Sequence, residues 1–176
     1  MSIREERLTN DYQALQTLCV FNEPVKIKIL EKRGQPPDFY RIRFSYCKGV
    51  ESVIGDTPNY RMEHIIIISD FPSEYPDPGK LPNVRMETPL FHPNIYPEGS
   101  FKPAGTFCFQ GKDIDTLNQP LDALVKRIIS MIQYENLRFG SPANGNAREW
   151  ANRNQNLFPL NTGLTSNQSK PKLNWR

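Results

Sequence analysis

Long hydrophobic runs are absent from this 176-residue sequence, and no run exceeds the four isoleucines Ile65–Ile68. A membrane-spanning helix needs about 20 apolar residues, so the sequence predicts none. The first ten residues are charged and predict no secretory signal. Neither sign of charge dominates: 22 Lys and Arg face 19 Asp and Glu, and the net charge of +3 is too small to indicate nucleic-acid binding.

Cysteine and histidine are also scarce. The three cysteines, Cys19, Cys47 and Cys108, are odd in number and show no paired spacing, which argues against a disulfide framework. We therefore expect a reducing, cytoplasmic compartment. The chain has two histidines and no Cys-x-x-Cys pair or Cys/His cluster, so no zinc or other metal site is expected.

The residue pattern predicts an α+β chain that begins with a helix. Ser2 and Glu5 have the spacing of a capping box. Four residues at helical spacing then form one apolar stripe, and Pro24 ends the helix; the stripe contains Leu8, Tyr12, Leu15 and Cys19.

Alternating residues predict three strands and a short fourth one, joined as an antiparallel meander. The first strand carries Val25, Ile27 and Ile29, and a turn follows at Gly34–Asp38. The second carries Ile42, Phe44 and Tyr46; the third, expected at the centre of the sheet, is Met62–Ser69, and the fourth is Val84–Met86.

The second half of the chain is predicted to contain helices. Pro120 is expected as the first residue of a helix with a wide apolar face, formed by Leu121, Leu124, Val125, Ile128, Ile129 and Ile132. A last helix is expected between Ala143 and Leu157. We assign residues 1–160 to one domain and residues 161–176, which are polar and lack periodicity, to a flexible tail.

Five motifs occur in an order that resembles the ubiquitin-conjugating enzyme family, with the divergence expected of a remote relative such as those of bacterial ubiquitin-like conjugation operons. They are FPSEYP at 71–76, PNVRMET at 82–88, FHPNIY at 91–96, GTFC at 105–108 and SPAN at 141–144. The resemblance covers roughly residues 1–157 in order. It implies the fold of that family: an N-terminal helix, a four-stranded antiparallel meander, an active-site loop and C-terminal helices.

The resemblance also implies a chemistry. Cys108 would receive ubiquitin or a ubiquitin-like modifier as a thioester from an activating enzyme and pass it to a lysine or another amine of a protein substrate. Thiols suit this role because they are strong nucleophiles and good leaving groups. No cofactor is expected, because the activating enzyme uses the ATP, and neither a membrane nor a nucleic acid is an expected partner.

Further roles follow from the same resemblance. Asn94 would support the active-site loop or donate a hydrogen bond to the oxyanion, and Ser141 would lie beside the incoming lysine. His92 and Pro93 would stabilise the turn. Arg4 and Arg7, one helical turn apart on a solvated face, would dock the activating enzyme.

The sequence departs from the family in three places. Asn94 and Cys108 are fourteen positions apart, several more than usual, and the extra residues fall within Pro97–Ala104. Leu117-Asn118-Gln119 replaces the tryptophan that usually precedes the next helix. Asp77-Pro78-Gly79 replaces the bulky apolar residue that contacts ligases, so the need for a ligase partner stays open.

Other readings of these residues remain open. Cys108 could be a small buried residue, as Cys19 and Cys47 are expected to be. Asn94 could only form a turn, and Ser141 could only cap the last helix. The protein could be an inactive, modifier-binding variant of the fold. A cysteine hydrolase using Cys108 with His92 or His64 is the least supported alternative.

Overall fold

An α+β fold places two helices, one from each half of the chain, against a four-stranded antiparallel sheet. The computed structural model describes residues 1–109, 119–135, 137 and 140–160. The elements, in chain order, are α1 (Ile3–Phe21), β1 (Lys26–Gly34), β2 (Pro37–Ile54), β3 (Thr57–Ser69), β4 (Asn83–Met86), α2 (Leu121–Ile132), α3 (Gly145–Arg153) and a 3₁₀ turn (Gln155–Leu157). The predicted tail, 161–176, lies outside the described residues.

Helix α1 begins as the sequence predicts. The Ser2 hydroxyl accepts from the Glu5 amide at 3.2 Å, and the Glu5 carboxylate accepts from the Ser2 amide at 2.7 Å, so the capping box is confirmed. The buried stripe differs in part from the predicted one: Leu8 and Leu15 are buried, but Tyr12 and Cys19 are only half-buried. Asp11 and Leu18 occupy the centre of the face.

The sheet confirms the predicted meander, with strand order β1-β2-β3-β4 and every neighbouring pair antiparallel. β3 is central as predicted, and β2 is equally so. The prediction that Tyr46 continues the inward face of Ile42 and Phe44 is wrong. A bulge between Ser45 and Gly49 shifts the register, so that Tyr46 lies outward, with φ of 61°, and Cys47 is buried instead.

Helix α2 buries every residue of the predicted apolar face. Its start differs slightly, because Pro120 is the N-cap rather than the first helical residue. Helix α3 falls inside the predicted range, and its N-cap is Asn144, whose side chain accepts from the Ala147 amide at 3.0 Å. The reading of Ser141 as this N-cap is therefore wrong.

A second apolar cluster lies beside the main core and joins the chain's last described segment to the FHPNIY segment. Its buried members are Val50, Tyr134, Leu137, Trp150 and Ala151. The Tyr134 hydroxyl donates to the Phe91 carbonyl, and Trp150 Nε1 donates to the Asp56 carbonyl at 3.1 Å. These contacts fix the start of the segment that carries Asn94.

Candidate active site

Residues 94–96 and 105–108 form a short antiparallel pair that carries both Asn94 and Cys108. The Cys108 amide donates to the Asn94 carbonyl at 2.8 Å. The Tyr96 amide donates to the Thr106 carbonyl at 3.0 Å, and the Gly105 amide donates back to the Tyr96 carbonyl at 2.8 Å. The residues between these segments, 97–104, therefore form the connecting loop of a hairpin.

The same segment is attached to the sheet through β4. The Met86 amide donates to the Gly105 carbonyl at 2.8 Å, and the Phe107 amide donates to the Val84 carbonyl at 2.9 Å. Gly105 has φ of 87°, and a Cβ atom placed there would lie 2.6 Å from the Met86 carbonyl oxygen. Only glycine fits this position without strain, because it tolerates positive φ and has no Cβ.

The longer loop leaves Asn94 and Cys108 adjacent. Ile95 and Phe107 form the bridge between their two segments and are buried, so the core holds the pair from below. The additional residues of 97–104 extend the hairpin loop, and its tip includes Phe101, which is 84% exposed. The segments on either side of this loop, 94–96 and 105–108, are paired by backbone hydrogen bonds.

His92 lies inside the turn that precedes Asn94. Its Nδ1 accepts from the Asn94 amide at 3.0 Å, and its ring meets that of Tyr134 at 4.9 Å between centroids. Burial, assisted by the positive charge of Arg127, lowers the pKa of His92 to about 3, although the Met131 backbone acts in the opposite direction. The imidazole is therefore neutral, and its Nδ1 is already used to accept the hydrogen bond that holds the turn.

The three thiols differ in their surroundings. Cys47 is fully buried, and burial raises its pKa to about 12, which leaves it inert as a nucleophile. Cys19 is half-buried between α1 and β1, and burial also raises its pKa. Cys108 is half-buried at the end of the hairpin formed by residues 94–108, beside its exposed loop.

Tyr96 is a member of the site that sequence reasoning missed. Its side chain makes a hydrogen bond with Cys108, and this bond, followed by burial, raises the pKa of the Tyr96 hydroxyl. The ring also meets Phe101 edge-to-face, with 5.2 Å between centroids. The available signal was its position two residues after Asn94, since alternate residues of a strand share a face.

A groove of about 430 Å³ continues from Tyr96 along the hairpin. Its wall includes Gly105 and Asn144, together with the carboxylates of Glu51, Glu87 and Glu98. Glu51 pairs with Arg61, and Glu87 pairs with Arg41. The groove therefore borders the residue that contacts the thiol.

Ser141 is exposed in a segment that is attached to the turn before Asn94. The Asn144 amide donates to the Pro93 carbonyl at 3.0 Å, which brings residues 141–144 to the same end of the molecule as the turn. Pro93 and the segment that carries Ser141 therefore belong to one cluster of loops.

Arg4 and Arg7, the predicted docking residues, both lie on α1, but their side chains differ in exposure and in partners. Arg7 is only 15% exposed at its side chain; it donates to Asp11 at 2.9 Å and to the Gln119 carbonyl, and lies over the Tyr75 ring. The predicted solvated face is therefore wrong for Arg7, because the buried Asp11 carboxylate binds it. Arg4 is 30% exposed and lies 3.5 Å from Asp38.

No protein-family model and no curated protein matches this chain. Within the described residues, no group of three or more His, Cys, Asp or Glu side chains could hold a metal ion. No helix in the described part of the chain is long and apolar enough to cross a bilayer. The functional assignment therefore depends on the geometry around Cys108 and on the order of the motifs.

Proposed function

We propose that the protein is a conjugating enzyme for ubiquitin or a ubiquitin-like modifier, with the fold of that family. It accepts the modifier as a thioester on Cys108 from an activating enzyme and transfers it to a lysine or another amine. The observation that carries this proposal is the hairpin that sets the half-exposed Cys108 directly opposite Asn94. The helix–meander–helices order with five motifs in register supports the same assignment.

The arrangement suits acyl transfer in two steps. In the first step, the Cys108 thiolate attacks the carbonyl of the thioester on the activating enzyme, and the thiolate of the activating enzyme leaves. In the second, a neutral amine attacks the new thioester. Both steps place negative charge on a carbonyl oxygen, and a hydrogen bond donated by Asn94 would stabilise that charge.

A cysteine hydrolase fits the same geometry less well. Such an enzyme needs a general base within hydrogen-bond reach of the thiol. The chain has two histidines, and both are buried. His92 uses Nδ1 to accept from Asn94, while His64 Nε2 lies 3.2 Å from the Arg61 carbonyl.

Docking of the activating enzyme on α1 belongs to the same proposal. Arg4 and Arg7 are its proposed contacts, and Arg4 offers the more exposed guanidinium group of the two. Acidic partner residues would be attracted to such a group before contact.

The test uses ubiquitin activated chemically as its mercaptoethanesulfonate thioester, which removes the need for a known activating enzyme. The wild-type protein should form an adduct that reductant releases, Cys108→Ser should form at most a reductant-resistant oxyester, and Cys108→Ala should form none. Cys19→Ala serves as the matched control and should react normally. An equal adduct on Cys108→Ala would move the site elsewhere. Consumption of the thioester without an adduct would favour a hydrolase, and no reaction would favour a binding module.

A further inference from the structure

The ladder around the active-site hairpin places Tyr96 on the same side as the thiol. Ile95 pairs with Phe107, and both side chains point into the core. Alternate residues of paired strands share a face, so Asn94 lies directly opposite Cys108 and Tyr96 lies diagonally to it. A diagonal neighbour on a ladder is about 7–8 Å away between backbones, a gap that a tyrosine side chain can span.

The Tyr96 hydroxyl meets the thiol across this diagonal. The hydrogen bond to Cys108 is the largest cause that raises the pKa of the Tyr96 hydroxyl, so the phenol keeps its proton at neutral pH. The edge-to-face contact with Phe101, at 5.2 Å between centroids, supports the ring from the loop side. A phenol on the same face of the ladder as the thiol, supported by Phe101, can donate a hydrogen bond to sulfur.

We propose that Tyr96 is a catalytic hydrogen-bond donor to Cys108 Sγ during discharge of the thioester. This inference rests on the proposed function. In that step the amine nitrogen bonds to the carbonyl carbon, the carbon–sulfur bond breaks, and its electron pair passes to Sγ. The proton lost by the amine passes to water, and the Tyr96 hydroxyl stabilises the thiolate that forms.

Charging and discharge should respond differently to this donor. During discharge the negative charge on Sγ increases from the thioester to the transition state, so a donor at sulfur lowers the barrier. During charging the same charge is already present on the attacking thiolate and decreases. The donor therefore offers the charging chemistry no comparable acceleration.

The experiment compares Tyr96→Phe with wild type and with Tyr46→Phe, an exposed tyrosine on β2 that serves as the control. Preformed Cys108–ubiquitin thioester is mixed with lysine, hydroxylamine or a small thiol in single-turnover discharge. A lost hydrogen bond to a charged sulfur should slow discharge by about tenfold or more with all three nucleophiles. Wild-type rates in Tyr96→Phe would overturn the proposal, as would slowing with lysine alone, which would assign Tyr96 to the incoming amine.

A second measurement needs no modifier. The absorbance of tyrosinate is titrated with pH in the wild type, in Cys108→Ala, and in each protein with Tyr96→Phe added. The difference curve that belongs to Tyr96 should move to lower pH in Cys108→Ala, because the partner that raises its pKa is gone. An unmoved curve would overturn the contact. Failure of wild type to form any thioester would instead refute the proposed function, so the two failures are distinguishable.

Discussion

The Cys108 amide donates to the Asn94 carbonyl at 2.8 Å, although fourteen positions separate the two residues along the chain. The loop at 97–104 absorbs that length, and the strands on either side of it keep their pairing. The register is set at the other end of the cysteine segment, where Gly105 bonds to both Tyr96 and Met86. The thiol's position therefore depends on a backbone conformation as much as on its own neighbours.

Gly105→Ala should destabilise the protein more than Gly99→Ala. Both glycines have positive φ, 87° and 79°, so both substitutions incur the cost of a left-handed alanine, about 1 kcal/mol. Only at Gly105 would the new Cβ also meet backbone, 2.6 Å from the Met86 oxygen, whereas nothing lies within 4 Å at Gly99. We expect a loss of about 3 kcal/mol for Gly105→Ala, measured by urea unfolding.

Gly99→Ala is the matched control for this prediction, since it differs mainly in the absence of the clash. Charging of Cys108 should fall in Gly105→Ala and stay near wild type in Gly99→Ala. Equal unfolding free energies for the two variants would show that the Gly105 contact with β4 does not hold the hairpin.

The free energy of unfolding should fall as the pH is lowered from 7 to 5. Burial lowers the pKa of His64 to about 4 and that of His92 to about 3, whereas an unfolded histidine has a pKa near 6.5. The unfolded chain therefore binds more protons than the folded one below pH 6.5. The stability contributed by the two neutral rings is fully present above that pH and is lost on acidification. Each imidazole should contribute a loss of about 2 kcal/mol at pH 5.

Urea unfolding at pH 7, 6 and 5 checks this dependence. His92→Gln should be less stable at pH 7 but should lose less on acidification, because one of the two titrating groups is gone. A stability that does not change between pH 7 and pH 5 in the wild type would contradict the buried neutral state of both rings.

Patterns with a strong period could be predicted, and local irregularities could not. The apolar face of α2 and the capping box at Ser2 follow from spacing alone, and the structure reproduces both. The bulge that turns Tyr46 outward leaves no mark in an alternating sequence. The spacing of Tyr96 from Asn94 indicates a shared face, but its contact with Cys108 could be recognised only once the pairing of residues 94–96 with 105–108 was known.

Asp11 shows a different limit. An aspartate on a helix is usually solvated, yet Asp11 is fully buried and accepts hydrogen bonds from Arg7, from the Tyr75 hydroxyl at 2.5 Å and from the Leu121 amide at 2.9 Å. These partners come from α1, from the FPSEYP segment and from the start of α2. Two of the three donors, Tyr75 and Leu121, come from distant segments, so this buried carboxylate can be recognised only after the fold brings them together.

Arg7→Ala should therefore destabilise the protein far more than Arg4→Ala. Removal of Arg7 leaves the buried Asp11 without its cation, and breaking such a pair costs about 3 kcal/mol. Arg4 makes a more exposed pair with Asp38, 3.5 Å away, and long hydrogen bonds of 3.4 Å to the Phe71 and Pro72 carbonyls, so its removal should cost about 1 kcal/mol. Urea unfolding of the two variants gives the comparison.

The same pair of variants separates stability from docking. We expect Arg4→Ala to keep the fold, so slower charging by an activating enzyme, with the difference reduced by salt, would assign Arg4 to docking. Equal stabilities of the two variants would contradict the network around Asp11. Unchanged charging in Arg4→Ala at low salt would remove Arg4 from the docking surface.

Ser141→Asp should speed discharge to lysine and leave charging unchanged. Asn144 caps α3, so Ser141 is not needed for the helix, and the Asn144 amide ties its segment to Pro93 beside the turn of Asn94. A carboxylate on this exposed segment would attract the lysine ammonium group, which a serine cannot do. At a separation near 4 Å in water the gain is about 1 kcal/mol, or roughly fivefold in rate, and it should shrink as salt is added.

Ser73→Asp adds the same charge at an exposed serine of the FPSEYP segment and serves as the control. Single-turnover discharge from purified thioester, with lysine varied, measures the effect. If Ser73→Asp accelerates discharge equally, the effect comes from net charge; if neither variant changes the rate, Ser141 does not border the path of the lysine.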